Sequence, residues 1–305
     1  MSKVNIDYLL IKANNYEQEG EFNSAEELYS KILKKFPNNP LAKSKLEKIK
    51  IDLIENFNSE LLLAYNKGDF QKVAEKSEKL TKQFSDKINF WNLLGCSNIQ
   101  LGFYEKAYAA FSSANKLLPN NFNIINNLAF TLQEQGKLEL AIQFYEKVLL
   151  LKPDYVEVYN AISEILKRQG KFIQAVNVCK KAISINPNFL NSYNIIGSIL
   201  IDQGNIDEAI RYFKKAIQID PEQADVNYNL GVAYQCKKMF KESEFFYKKA
   251  IDFNSNLIGS FINLGYILHE QGYIERSIEY YRKAIDLNPN FHETYYNLGI
   301  LFFEE

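Results

Sequence analysis

Asparagine is the side chain whose type and spacing can do chemistry along this chain of 305 residues. Asn92, Asn126, Asn160 and Asn194 follow one another 34 residues apart, and Asn127, Asn229, Asn263 and Asn297 fall on the same period one residue later. A carboxamide offers both donor hydrogens and an acceptor oxygen. A row of them can pair with the N–H and C=O groups of an extended peptide without reading its side chains. These eight residues are therefore the expected peptide-binding set, with a broad sequence preference.

Other chemistry is thinly represented. The chain has two histidines, His269 and His292, and three cysteines, Cys96, Cys179 and Cys236, far apart and odd in number. No C-x-x-C pair, H-E-x-x-H run or glycine-rich phosphate loop occurs. Neither a metal nor a cofactor is expected, and the free thiols suit a reducing, cytoplasmic setting. Cys236 and His269 fall near the ends of successive helices in the reading below, so a Cys–His nucleophile pair is conceivable. A thiol beside a surface histidine is the plainer reading, and no catalytic residue is assigned. A net charge of −1 and a pI near 6.3 show no basic excess for nucleic acid. No apolar run approaches the ~18 residues of a membrane span, and Met1–Asp7 lacks the apolar core of a signal peptide.

The elements that must position the asparagines are set by five further registers of the same period. Prolines stand at Pro119, Pro153, Pro187, Pro221 and Pro289, with Ser255 in the gap. Glycines stand at Gly68, Gly102, Gly136, Gly170, Gly204 and Gly272, with Lys238 in the gap. Small residues occupy Gly95, Ala129, Ser163, Gly197, Gly231, Gly265 and Gly299, then Ala107 through Ser277, then Ala114 through Ala284. The glycine lies between two amphipathic segments, where a chain leaving a helix takes the left-handed conformation; Lys238 there implies strain or a different turn. The proline stops the second segment. The small residues let two helices approach, and Trp91, Phe111, Tyr193 and Phe213 fill the space between.

Trp91, Leu94, Gly95, Ala107, Phe111 and Pro119 give W-x2-L-G…A-x3-F…P. This pattern resembles the tetratricopeptide repeat, a helix-turn-helix unit. The resemblance implies an all-α, right-handed superhelical solenoid. Units are expected at 54–87, 88–121, 122–155, 156–189, 190–223, 224–257 and 258–291, with a partial unit over 292–305. The first is degenerate, with Leu61, Val73, Leu80 and Ser85 at the small and proline registers. Residues 1–53 form a separate part: a hairpin over 6–39 with Ala13, Gly20, Ala25, Tyr29 and Pro37 in place, then a linking helix from Pro40. The last helix carries Leu301, Phe302 and Phe303, too apolar for a solubilising cap, so the chain reads as a piece of something longer.

The resemblance also implies that the first helix of each unit lines a concave, peptide-binding face. Asn89, Asn123 and Asn191 then join the eight on that face, whereas the interiors of second helices hold few asparagines, mainly Asn115 and Asn177. Asparagine is a mediocre helix former, so this concentration calls for a cause; polar filler in an Asn-rich chain is the alternative. The arrangement is similar to the asparagine-lined superhelix of O-linked N-acetylglucosamine transferases, with Asn127, Asn229, Asn263 and Asn297 in the equivalent place. Leu93, Ala161 and Ile195 depart from it. The lysine clamp of chaperone-binding members is absent, and Lys167 and Arg168 alone supply positive charge. Glu134, Glu157, Glu164, Asp202, Asp225, Glu270 and Glu293 favour a neutral or mildly basic ligand, to which Tyr228, Tyr266 and Tyr296 add contact area. The expected function is a protein-binding module or scaffold. The alternatives are the substrate-recruiting arm of a larger glycosyltransferase or sulfotransferase, and a scaffold that self-associates into homo-oligomers through its C-terminal repeat.

Overall fold

A computed structural model describes residues 6–304, with side chains as far as residue 302. The described residues form seventeen helices and no strand. Helix contacts divide the chain into two compact units, 1–144 and 145–305, with the division inside α8. The first unit holds α1 (Ile6–Gln18), α2 (Phe22–Lys35), α3 (Pro40–Asn66), α4 (Phe70–Gln83), α5 (Ile88–Gln100), α6 (Tyr104–Leu117) and α7 (Phe122–Glu134), and α8 (Leu138–Leu151) begins in it. The second holds α9 (Val156–Arg168), α10 (Phe172–Ile185), α11 (Leu190–Asp202), α12 (Ile206–Ile219), α13 (Ala224–Cys236), α14 (Phe240–Phe253), α15 (Ile258–Glu270), α16 (Ile274–Leu287) and α17 (His292–Glu304).

Each hairpin turns as its glycine register requires. After α11, Gly204 takes φ +77, its N–H bonds to Ile201 O at 2.9 Å and Asn205 N–H to Leu200 O at 2.8 Å. This closure satisfies carbonyls that the helix end would leave open. Lys238 makes the same turn at φ 55, with Lys238 N on Gln235 O and Met239 N on Tyr234 O. A lysine there carries the cost of a Cβ in the left-handed region. Second helices end differently. The Asn186 and Asn254 side chains accept from the N–H two residues on, at 3.0 and 3.1 Å, as turn-forming Asx residues do.

The hairpins close on a ring. A Cβ built on Gly197 would lie 2.5 Å from Phe213, on Gly231 2.5 Å from Tyr247, and on Gly265 2.7 Å from Tyr281. Bare Cα atoms are what admit these rings, which are themselves buried. Where the second helix has Cys179 in place of the ring, the first has Ser163; where it has Ser77, the first has Leu61. Bulk is exchanged across the pair so that the interior stays filled. Ser243 and Ser277 then donate to the carbonyls of Gly231 and Gly265, at 2.8 and 2.7 Å.

A second recurring contact ties four of the first helices, α5, α9, α11 and α13, to the loop before them. Trp91 Nε1 donates to Ser85 O, Tyr159 and Tyr193 hydroxyls to Pro153 O and Pro187 O, and Asn227 Nδ2 to Pro221 O, at 2.9 to 3.1 Å.

The linking segment expected at 40–53 and the first helix expected from residue 54 are one continuous helix, α3, of 27 residues. Asn39 caps it by accepting from Ala42 N at 2.8 Å, and Pro40 opens it. The α1–α2 hairpin packs on its first half through Ala13, Ala25, Tyr29, Ala42, Ile49 and Leu53. The second half packs with α4 through Leu61, Ala64, Val73 and Leu80. The equivalents of Leu63 (Ser97, Thr131, Ile165, Ile199, Ala233, Ile267 and Leu301) are all buried, yet Leu63 is 58% exposed. The preceding second helix, which covers this register elsewhere, is here α2, and it packs on the first half of α3 and not beside Leu63.

Leu301 corrects one expectation. Read as part of a bare apolar end, it is fully buried in a cluster with Phe261, Ile262, Tyr281 and Ala284. Helical period turns it inward while Phe302 points out, 54% exposed; the Phe303 side chain and Glu305 lie outside the described residues.

Two substitutions test these contacts. Gly197→Ala should lower unfolding free energy by roughly 1–3 kcal/mol through overpacking on Phe213, read by denaturant melts; an unchanged midpoint would contradict the ring seat. Lys238→Gly should raise it by roughly 0.5–1 kcal/mol, the left-handed cost of ~1–2 less glycine's entropy cost.

Candidate functional site

In the second unit the first helices α9, α11, α13, α15 and α17 touch one another in succession, and no two second helices are in comparable contact. The row therefore bends toward its first helices. Asn160, Asn194, Asn229, Asn263 and Asn297 stand on these five helices, each half-buried. A half-buried amide keeps a fixed direction while leaving polar atoms within reach of a ligand.

Three of the five are already engaged with one another's helices. Asn229 Nδ2 donates to Asn194 Oδ1 at 2.8 Å, joining α13 to α11. Asn263 Nδ2 contacts the Tyr228 and Tyr247 hydroxyl oxygens at 3.3 and 3.0 Å, joining α15 to α13 and α14. The Tyr247 hydroxyl in turn donates to Gln235 Oε1 at 2.5 Å. Burial pushes the Tyr247 phenol well above its ordinary value, with Tyr228 adding to the rise. Tyr228 is raised for the same first reason, with the Glu293 charge contributing and the Asn263 bond opposing. Both hydroxyls thus stay protonated, and the network is neutral.

Asn160 behaves differently. Its Oδ1 is buried and meets no donor, so the part of this side chain that a ligand meets is the NH2. In the first unit Asn92, Asn126 and Asn127 are likewise half-buried, and Asn92 Oδ1 repeats the orientation of Asn160. Of the other asparagines placed on this face by sequence, Asn89, Asn123 and Asn191 are exposed. Around the second unit's amides Glu164, Asp202, Asp225, Glu270 and Glu293 are exposed. Lys167 is tied down, donating to Ser198 Oγ at 2.7 Å.

Spacing could have revealed the stitches. Asn194–Asn229 and Tyr228–Asn263 are both 35 apart, one period plus the offset between the two asparagine columns. Tyr228, expected as contact area, is a hydrogen-bonded wall residue; Tyr266 and Tyr296 are exposed, at 40% and 70%. The Tyr247 and Gln235 roles carry no spacing signal.

Cys96 and Cys179 are not activated as nucleophiles. Burial pushes Cys179 up to about 11 and raises Cys96, the reverse of what thiolate chemistry needs. Cys236 is exposed at the end of α13, and His269 is half-buried near the end of α15. Among the described residues no group of His, Cys, Asp and Glu could hold a metal ion, and no helix is long and apolar enough to cross a membrane.

Models of the tetratricopeptide repeat match at 122–155, 156–189 and 224–257, at 197–237 and 265–305, and at 7–39. The chain is a tetratricopeptide-repeat protein. Three solved structures illustrate how widely its fold is shared. The APC/C hetero-tetramer Cut9–Hcn1 aligns with a TM-score of 0.64 at 17% identity, over 97% of this chain and 55% of that one. The chain thus spans about half the length of that relative. A tetratricopeptide repeat protein from Parabacteroides merdae gives 0.57 at 18% identity, over 97% and 98%. Pseudomonas aeruginosa PilF gives 0.60 at 16%, over 72% and 97%. At these identities the likeness is one of fold. No curated protein matches the chain closely enough to serve as a relative.

The repeat's tyrosines predict how the protein responds to alkali. Tyr281 is pushed up to about 12, by burial first. A phenol whose folded value lies above its unfolded one stabilises the fold fully below pH ~10 and loses that contribution as pH rises toward ~12, at about 1.4 kcal/mol per pH unit. Tyr281→Phe should flatten the fall of melting temperature between pH 10 and 12; a fall as steep as in the parent would contradict it.

Proposed function

We propose that the first-helix face of the second unit holds an extended segment of another protein, gripping its backbone through side-chain amides. The observation that carries this reading is the set of five half-buried asparagines on five successive first helices, each touching the next. Fold alone does not give a partner, whereas amides directed at one face give a chemistry. The Asn194–Asn229 and Asn263–Tyr228 stitches hold α11, α13 and α15 in a fixed spacing, so little ordering entropy remains to be lost on binding. Asn160 and Asn297 flank the stitched stretch and present the amides that a peptide would meet first. The exposed acidic groups favour neutral to mildly basic segments, and Tyr266 and Tyr296 add rigid amphipathic area. Asn92, Asn126 and Asn127 offer the same chemistry on the first unit. On this reading the protein is an adaptor or scaffold.

The test is the double variant Asn160→Ala/Asn297→Ala, compared with the parent for binding to an array of unstructured, neutral-to-basic peptides. Two amide bonds of about 1 kcal/mol each predict a roughly 30-fold loss of affinity, with melting temperature essentially unchanged. Equal peptide capture by the double variant would sink the reading.

A further inference from the structure

Away from the amides, a cleft of about 430 Å³ opens in the first unit between the second helices α4 and α6, floored by α5. Its walls include Ala74, Trp91, Leu94, Asn98, Ala110 and Ser113. The repeat explains why it is open. The equivalents of Ala110 are Lys76, Phe144, Val178, Tyr212, Phe246 and Tyr280, and those of Ser113 are Lys79, Lys147, Lys181, Lys215, Lys249 and Lys283. Only here is the bulky residue reduced to alanine and the lysine to serine.

In the second unit the corresponding ring fills its seat. Tyr212 lies with its centroid 6.4 Å from Tyr193, and Tyr280 lies 6.3 Å from Phe261. Lys215 and Lys283, three residues on, sit over Tyr212 and Tyr280 at 5.8 and 5.2 Å. The register of Tyr193 and Phe261 is Trp91 in the cleft. The indole is fixed by its bond to Ser85 O at 2.9 Å, and Ala110 stands where its aromatic neighbour would be. Asn98, 3% exposed, brings an amide to a floor position that is leucine, tyrosine or phenylalanine in the later repeats.

The wall opposite has the charge the missing lysine would meet. Glu75 and Glu78 line the cleft from α4 together with Lys82, and Lys106 lines it from α6, where it sits over the Phe103 ring at 5.1 Å. Glu78 is 3.4 Å from Lys82, but Glu75 takes its hydrogen bond from the neutral Gln71 amide at 2.6 Å. The cleft therefore combines an indole without its aromatic neighbour, a gap of aromatic size and a carboxylate held by a neutral group.

We propose that this cleft is a second docking site, which takes a partner protein's helix through an aromatic residue followed three positions later by lysine or arginine. The aromatic ring occupies the space above Ala110 beside Trp91, and the cation lies toward Glu75. The incoming pair replaces, in trans, the pair that the later repeats carry in cis. This site is independent of the amide face and stands or falls without it.

Trp91 is the single tryptophan of the sequence, so red-edge excited emission reports on the cleft directly. The probe is a stapled helical peptide of about fifteen residues with Phe and Lys three apart, beside a copy with Ala for Phe. The Phe peptide should shift Trp91 emission saturably, and the Ala copy should bind at least about tenfold more weakly. Ala110→Phe restores the aromatic residue that Phe144, Tyr212, Phe246 and Tyr280 supply in four other repeats, so it should fold normally while abolishing the shift. Glu75→Gln should weaken the Phe–Lys peptide but not one with norleucine for Lys. Asn160→Ala/Asn297→Ala should leave the titration unchanged. Equal titrations of the Phe and Ala peptides, or undiminished binding by a folded Ala110→Phe variant, would overturn the proposal.

Discussion

A ring seated on a glycine holds three successive hairpins of the second unit together. Phe213 on Gly197, Tyr247 on Gly231 and Tyr281 on Gly265 bring the two helices of a unit within side-chain reach at their centre. Everything else rests on that approach. It exposes the glycine carbonyls to Ser243 and Ser277. It also aims the Tyr247 hydroxyl at the Asn263 amide and Gln235. Core packing and the candidate site thus share one residue: Tyr247 fills the hairpin with its ring and joins the amide network with its oxygen.

That sharing explains what was legible in the sequence. Helix number, turn positions and the small-residue registers follow from a period of 34, because each register has one steric reason repeated in every unit. The Gly–Phe and Gly–Tyr seats were foreseeable in kind, and the continuous α3 was half-foreseeable from Asn39, Pro40 and the absence of a stop before residue 66. The burial of Leu301 follows from helical phase, which an apolar run alone does not reveal. Asparagine columns were visible, but their division into stitching and presenting amides depends on side-chain direction. Asn229 and Asn297 share a register; one has Asn194 beside it on the preceding helix and the other has Ile262 at that place.

Departures from the repeat prove as informative as adherence to it. Lys238 keeps the turn despite its side chain, while Ser163 and Cys179 exchange bulk and keep the core filled. Ala110 and Ser113 make no such exchange: the volume removed is not replaced from Trp91, Asn98 or Ala74, and a cleft remains. An uncompensated loss of bulk in an otherwise compensated array is a local signal that sequence comparison between a protein's own repeats can find.

The length of α3 bears on how the chain acquires its structure. Helices of 13 or 14 residues, which make up the rest of the described chain, are near the limit at which an isolated helix is marginal in water. At 27 residues α3 is twice that, so the nucleation cost is spread over many more propagating bonds. It also offers docking surface to a hairpin on one half and to α4 on the other. Since each repeat touches only its neighbours, no distant loop need close before folding can spread. The helix that interrupts the period is thus the element best suited to begin folding, with order growing outward from it in both directions along the chain.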